Sequence, residues 1–400
     1  MLSKERKIKL EKNIWKFYLY RVFCSLVFII PVWVLFLQDN GMSMTQVMII
    51  QSIYTATVML AVVPAGILGD FIGRKKVLIV NAVFMVAGFA LYYFSRSFMM
   101  FLAAEITLAL STAAWSASRN AFFYDTLKEL GKEESFKKLY GKVVAINNIT
   151  FAIAALIGGY IATYSLRLPF VFTIIPSAIA LFITFSFTDT KNYKHGDRRY
   201  IKHLKDACSF AAKHPKLRFF LIYSAIAWGI ISVAFVLFQP YFQSIKLPLA
   251  MFGLVYAAMG GATAIGGKYS HWIEQKLGEK KILILIAVGL LLSFLGMGKI
   301  GVILGIIFPI FISFIEGVLD PAITDYIHKH VESHHRATLS SLVSITIQGS
   351  SAVLAPFFGW MVDAYTLQAA MIVAAFIMFV NIFILSLVYV IGWRRLRNET

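Results

Sequence analysis

Twelve long apolar blocks constrain this chain more than any single motif does. They fall at about residues 16–37, 47–69, 77–95, 98–122, 140–162, 168–187, 217–238, 248–268, 281–298, 301–325, 338–362 and 367–391. At about 1.5 Å rise per residue, about 20 residues of helix cross the hydrocarbon layer of a bilayer, which these blocks match. Lipid offers no water to satisfy backbone N–H and C=O groups, so a spanning segment outside a closed barrel is helical. Composition agrees, with 59% of the residues hydrophobic and 14% charged, against about 25% charged in a soluble domain. The expected fold class is an all-α membrane protein with twelve transmembrane helices in two six-helix pseudo-symmetric bundles.

The formal net charge of +18 would suit nucleic acid if the cations formed one patch. They do not. With the spans numbered 1–12 in chain order, 31 of the 38 Lys and Arg residues lie at the termini or around the connections 2–3, 4–5, 6–7, 8–9 and 10–11. The alternate connections hold only Arg96, Arg167, Lys246 and Lys299, while Lys16, Arg21 and Arg119 fall inside spans. Cations mark the cytoplasmic side, so both termini are expected in the cytoplasm, with the chain a multi-pass protein of the cytoplasmic membrane. Nucleic acid is not an expected partner; membrane lipids with anionic heads are. No small-residue cleavage site follows the first block, which reads as a retained helix and not a signal peptide. Cys24 and Cys208 are too few for a disulfide framework and are expected to be reduced.

The longest connection, 188–216, divides the chain into an N-terminal six-helix bundle (1–187) and a C-terminal one (217–400). Within it Ile201, Leu204, Cys208 and Ala211 recur at helical spacing among cations, the pattern of a short amphipathic helix on the membrane surface. The halves read as distant copies. "FIGRKK" (71–76) after span 2 is echoed by "KLGEKK" (276–281) after span 8, and Asp125 by Asp325. "AALIGG" (154–159) is echoed by "APFFGW" (355–360). Duplicated halves with a site between repeats are a common transporter device.

The stretch "GILGDFIGRKK" (66–76) between spans 2 and 3 resembles the signature loop of the major facilitator superfamily, in which a glycine and an acid precede a glycine followed by Arg or Lys. The twelve spans, the long central connection and "HRATLSS" (335–341) at the start of span 11 extend the resemblance over nearly the whole chain. The residues suit the role. Gly73 permits a turn that a side chain obstructs, and Gly66 is expected to let neighbouring helices approach closely. Asp70 only accepts hydrogen bonds and Arg74 offers a fork of donors. The resemblance implies a gating latch of Gly66, Asp70, Gly73 and Arg74 with Asp125 at the cytoplasmic end of span 4, the loop acid facing the partly positive start of span 11. The second copy departs from this pattern, with Gln275 near the acid's place and Glu274 beside it. Span 5 lacks the glycine-proline pair that marks many antiporters of the superfamily.

In that superfamily spans 1, 4, 7 and 10 line the cavity, and here they carry Arg21, Glu105, Arg119, Glu316 and Asp320. Charge at the bilayer centre costs at least about 2.5 kcal/mol, so such residues face protein or water. Glu316 and Asp320 are four apart and share a helix face. Two close carboxylates in low dielectric resist double ionisation, so one is expected to hold a proton. These residues are the expected substrate and proton pathway, with cations from the first half and acids from the second, Glu316 the first choice for the coupling proton and Glu105 the second. The alternative is permanent pairing that holds the bundle together. Asn147, Trp33 and Trp115, among others, read as packing or interfacial anchors.

His328, His330, His334 and His335 cluster without Cys at irregular spacing, so no metal site is expected. No phosphate-binding glycine loop is present, which argues against ATP-driven transport, and neither a cofactor nor enzymatic activity is expected. The expected function is secondary active transport of a small-molecule substrate by alternating access, as a monomer with protons as coupling ion. Efflux of a lipophilic compound is placed first and import of a small, possibly anionic metabolite second. A receptor or scaffold that does not transport is the reading from another class.

Overall fold

In a computed structural model of the chain, every apolar block folds mainly as helix. The description covers the backbone of residues 3–191, 215–330 and 333–397 and, within these, side chains other than those of 215–216, 219, 279, 327–330, 333–341 and 386–397. The amphipathic helix expected around Ile201, Leu204, Cys208 and Ala211 lies outside these residues. So do the side chains of His328, His330, His334, His335 and the 335–341 stretch.

Among the described residues twelve segments are long and apolar enough to cross a membrane: Lys4–Asp39, Met44–Ile72, Arg74–Phe94, Phe98–Glu129, Glu133–Ala162, Leu168–Ser186, Phe220–Ser244, Leu249–Leu277, Lys280–Lys299, Ile303–Tyr326, Leu342–Ala364 and Leu367–Leu385. They are spans 1–12 below. No strand occurs among the described residues. Several helices outrun their apolar blocks, because helical geometry continues through polar residues once the chain has left the lipid. Span 1 starts at Lys4, capped by Ser3, whose hydroxyl accepts the Arg6 amide at 3.3 Å. Span 4 continues to Glu129, where the carboxylate takes Arg6 Nε at 2.6 Å and the Lys191 amide at 3.0 Å.

Span 1 is broken. Its first helix ends at Ser25, a short 3-10 turn covers Ile30–Val32, and a second helix runs Trp33–Asp39. Pro31 brings no N–H to the ladder and its ring disfavours helical backbone before it. The Phe28 amide is satisfied from outside the span, by the Thr173 hydroxyl at 3.0 Å. At Gly158 of span 5 a Cβ would stand 1.9 Å from the Phe28 carbonyl oxygen, so only glycine admits the unwound segment there.

Gly73 and Gly278 follow spans 2 and 8 with φ of +96° and +75°. Both are left-handed turns that a side chain disfavours, at matching places in the two halves.

The chain groups into two compact units. The first holds Met1–Met42, Ile53–Arg198 and Leu249–Ala257; the second holds Ser43–Ser52, Arg199–Pro248 and Ala258–Thr400. The opening turns of span 2 thus belong with the second unit and those of span 8 with the first. The first unit is cored by Phe17, Tyr20, Phe122 and Phe123, all at most 1% exposed, with Phe17 and Phe123 centroids 4.9 Å apart. In the second unit the Tyr223 hydroxyl, at 2.7 Å, donates to the Leu283 carbonyl. There spans 8 and 10 cross at glycines: a Cβ on Gly317 would lie 2.1 Å from the Thr263 carbonyl oxygen.

Candidate functional site

The 66–76 loop is built around Arg74. Its guanidinium pairs with Asp70 one helical turn earlier, and the two side chains are 7% and 18% exposed. Arg74 Nη1 also donates to the carbonyls of Gly66 at 3.3 Å and Ala117 of span 4 at 3.4 Å. The pair is therefore anchored in protein, with donors and acceptors matched. Asp125 is buried in span 4, at 1% exposure. Gly66 does not serve close helix approach, because a Cβ there would meet nothing within 4 Å. Its contribution is the carbonyl. The glycine that needs to be small is Gly69, where a Cβ would stand 2.6 Å from Arg74 Nη1.

Arg21 and Arg119 come together in the first unit. Both guanidinium carbons lie over the ring of Trp115, at 4.7 and 5.4 Å from its centroid. Arg21 Nη2 donates to the side-chain oxygen of Asn147, which also accepts the Ser25 hydroxyl at 3.0 Å. Arg119 Nε is buried without a hydrogen-bond partner among the described residues. No described carboxylate pairs with either arginine. The break in span 1 begins directly after Ser25.

Glu105 is elsewhere in the same unit. It accepts the Tyr92 hydroxyl, which in turn accepts Trp33 Nε1 at 3.1 Å. Glu105 and Tyr92 are 6% and 1% exposed, so this chain of bonds ties the far ends of spans 1, 3 and 4.

Glu316 and Asp320 lie one turn apart on span 10, in the second unit. That span is fixed by Thr263 and Ser270 of span 8, whose hydroxyls donate to the carbonyls of Ser313 and Val318 at 3.1 and 2.9 Å. Glu316 is half-buried and Asp320 exposed. Neither carboxylate has a hydrogen-bond or ion-pair partner among the described residues.

One polar device was not anticipated from sequence. Asp363, at the end of span 11, accepts the amides of Met44 at 2.9 Å and Thr45 at 2.7 Å, and the Thr45 hydroxyl at 2.6 Å. These are the first residues of span 2, within the second unit. The same helix start carries a reciprocal cap, Ser43 Oγ accepting from the Gln46 amide and Gln46 Oε1 from the Ser43 amide. The Ser-x-x-Gln pattern marks such a start in sequence; the partner from span 11 does not. The first unit has a counterpart made of backbone. At Gly253 of span 8 a Cβ would stand 2.1 Å from the Ala155 carbonyl oxygen, and at Gly159 of span 5 one would stand 2.7 Å from the Gly253 amide.

Comparison with known proteins gives one consistent result. The sequence pattern of the Major Facilitator Superfamily matches residues 21–356. A Bacillus subtilis (strain 168) protein, described as the uncharacterized MFS-type transporter YxaM, is 22% identical over 371 residues, covering 90% of this chain and 91% of that protein. The crystal structure of the nucleoside transporter NupG superposes with a TM-score of 0.80 at 13% identity, over 96% of this chain and 98% of that one. A POT family transporter in complex with 5-aminolevulinic acid superposes with a TM-score of 0.69 at 12% identity, over 94% and 95%.

Proposed function

The chain belongs to the Major Facilitator Superfamily, and from that premise we propose that it is a secondary transporter that carries a small polar organic solute across the cytoplasmic membrane by alternating access, coupled to protons, with both termini in the cytoplasm. The observation that carries this reading is that span 2 has an acid-based grip at each end. Asp363 takes the free amides at its start, and Asp70 pairs with Arg74 at its finish. A few charge-assisted hydrogen bonds at a helix end can be exchanged without unfolding a core. Making one grip while releasing the other is what alternating access requires of this span. At Gly159 and Gly253 the backbones of spans 5 and 8 approach closely within the first unit.

Glu316 is the proton carrier in this proposal. It is half-buried on a span pinned by neighbouring hydroxyls, and no ion-pair partner neutralises it among the described residues. Glu105 takes a structural part, since Tyr92 and Trp33 already occupy its surroundings. A nucleoside and 5-aminolevulinic acid, the compounds named for two solved relatives, are polar. A polar solute also suits the Arg21 cluster better than the lipophile first expected.

The test is reconstitution into vesicles that trap a pH-sensitive dye. A carrier of this kind is reversible, so a proton gradient is imposed in each direction. Addition of a polar solute such as uridine or 5-aminolevulinic acid is expected to dissipate the gradient, and Glu316→Gln to abolish that response while solute exchange persists. Movement of lipophilic dyes alone, or a full proton response in Glu316→Gln, overturns the reading.

A further inference from the structure

We propose that Arg21 and Arg119, held on Trp115, form a recognition site for an anionic group, a carboxylate or a phosphate, on the solute. The inference rests on the transporter reading for its purpose, but not for its geometry. Two guanidinium groups sit on one indole, inside a membrane-spanning bundle, and no described carboxylate neutralises them. Acids of this unit are engaged elsewhere: Glu5 with Lys9, Asp70 with Arg74, Glu129 with Arg6, Glu11 with Lys132 and Glu105 with Tyr92. A charge kept at membrane depth without a partner is costly and marks function by default.

The indole explains how the pair is held open. A cation over an aromatic face is attracted through the flat side of the guanidinium. The N–H groups lie in the guanidinium plane, so stacking leaves them available for an oxyanion. Among the described residues one nitrogen contact is spent, Arg21 Nη2 on Asn147. Asn147 is itself fixed by Ser25, so Arg21 is aimed while the rest of its fork stays unused. The buried Nε of Arg119 has no hydrogen-bond partner among the described residues. Carboxylate and phosphate match this fork with two parallel bonds.

The backbone adds to the case. Span 1 unwinds at the residue after Ser25, and broken spans in transporters lie where substrate is bound. The break places the end of one half-helix, with Arg21 in its last turn but one, beside span 5, where Gly158 clears the unwound chain.

An anionic lipid head offers the same chemistry as a free anion, so the experiment separates the two. Purified protein in discs of phosphatidylcholine is melted with benzoate, phenyl phosphate or neutral benzamide, and the series is repeated in discs containing phosphatidylglycerol. The anions are expected to raise the melting temperature by about 2 °C or more at saturation, and benzamide to leave it unchanged. Arg119→Gln and Arg21→Gln are expected to weaken the apparent affinity at least about tenfold. Arg119→Lys, which keeps the charge but loses the fork, should fall between. Equal stabilisation by benzamide, or an undiminished response in both Gln variants, overturns the proposal. A response abolished by phosphatidylglycerol assigns the site to lipid and overturns the solute assignment. If a Gln variant does not fold, Trp115→Leu supplies the same measurement, with weakened anion affinity expected and unchanged affinity overturning the proposal. Anion binding without solute flux would sink the transporter reading alone; flux that ignores both arginines would sink this site alone.

Discussion

The carboxylate of Asp363 takes both the amide and the hydroxyl of Thr45, at 2.7 and 2.6 Å, across 318 residues of chain. Ser43 and Gln46 cap each other at this helix start, and Asp363 takes the two amides they leave, those of Met44 and Thr45, so it serves the joint as well as the helix. A carboxylate at a helix start stabilises by about 0.3–1 kcal/mol when exposed and up to about 2 when sheltered. Asp363→Ala should therefore shift the equilibrium between gripped and released span 2 by about fivefold. A membrane-impermeant thiol reagent applied to Thr45→Cys, with Cys24 and Cys208 replaced by Ser, should react correspondingly faster in the Asp363→Ala background. Unchanged labelling would show that the grip does not hold the span.

Two glycines of span 5 should respond oppositely to the same substitution. Gly158→Ala forces a Cβ to 1.9 Å from a backbone oxygen, and overpacking of this kind costs about 1–3 kcal/mol. Gly141 lies in the same helix with nothing within 4 Å of its would-be Cβ. Gly141→Ala removes only the entropy penalty of glycine and should stabilise by about 0.5–1 kcal/mol. Thermal melting of the two variants in one detergent checks both signs.

Gly69 and Arg74 should behave as one unit. A Cβ on Gly69 displaces Arg74 Nη1, 2.6 Å away, but the displaced atom ends a flexible side chain. Gly69→Ala is expected to lower transport while leaving the melting temperature nearly unchanged. Combined with Arg74→Ala, it should add little further loss of transport, because both changes remove the same contact. Fully additive losses in the double variant would mean that Gly69 acts independently of the arginine.

Tyr92→Phe tests the buried chain from Trp33 to Glu105. The hydroxyl serves two partners, one accepting and one donating, and its loss strands both in a region from which water is largely excluded. The expected cost is about 1–3 kcal/mol in stability. Transport per folded molecule should be preserved. A selective loss of proton coupling, with stability intact, would instead move Glu105 into the proton path.

Much of the fold is legible in the sequence, because its cause is local. Length and apolarity alone place spans such as 98–122 and 168–187, since lipid leaves the backbone no option but helix. Only the extensions beyond the blocks, such as 4–15 and 123–129, escape that signal, as hydropathy ends where water begins and helix does not. Gly73 was readable from its neighbours as a turn. Gly66 was misread because spacing reveals which residues are small but not which of them faces a neighbour; three residues on, Gly69 is the one that does. Asp363 was missed for a different reason. Its partners are backbone amides, which carry no residue identity, so sequence could show the Ser43–Gln46 cap and nothing of the acid that joins it. Trp115 and Asn147 read as anchors, and only the fold could set them beside Arg21.

Trp115 also gives the molecule an optical reporter of its own. Indole fluorescence responds to the field of nearby charge, and among the described residues this ring alone carries two guanidiniums. Its emission is expected to change colour when those charges are neutralised, so occupancy could be followed in real time without attaching a label.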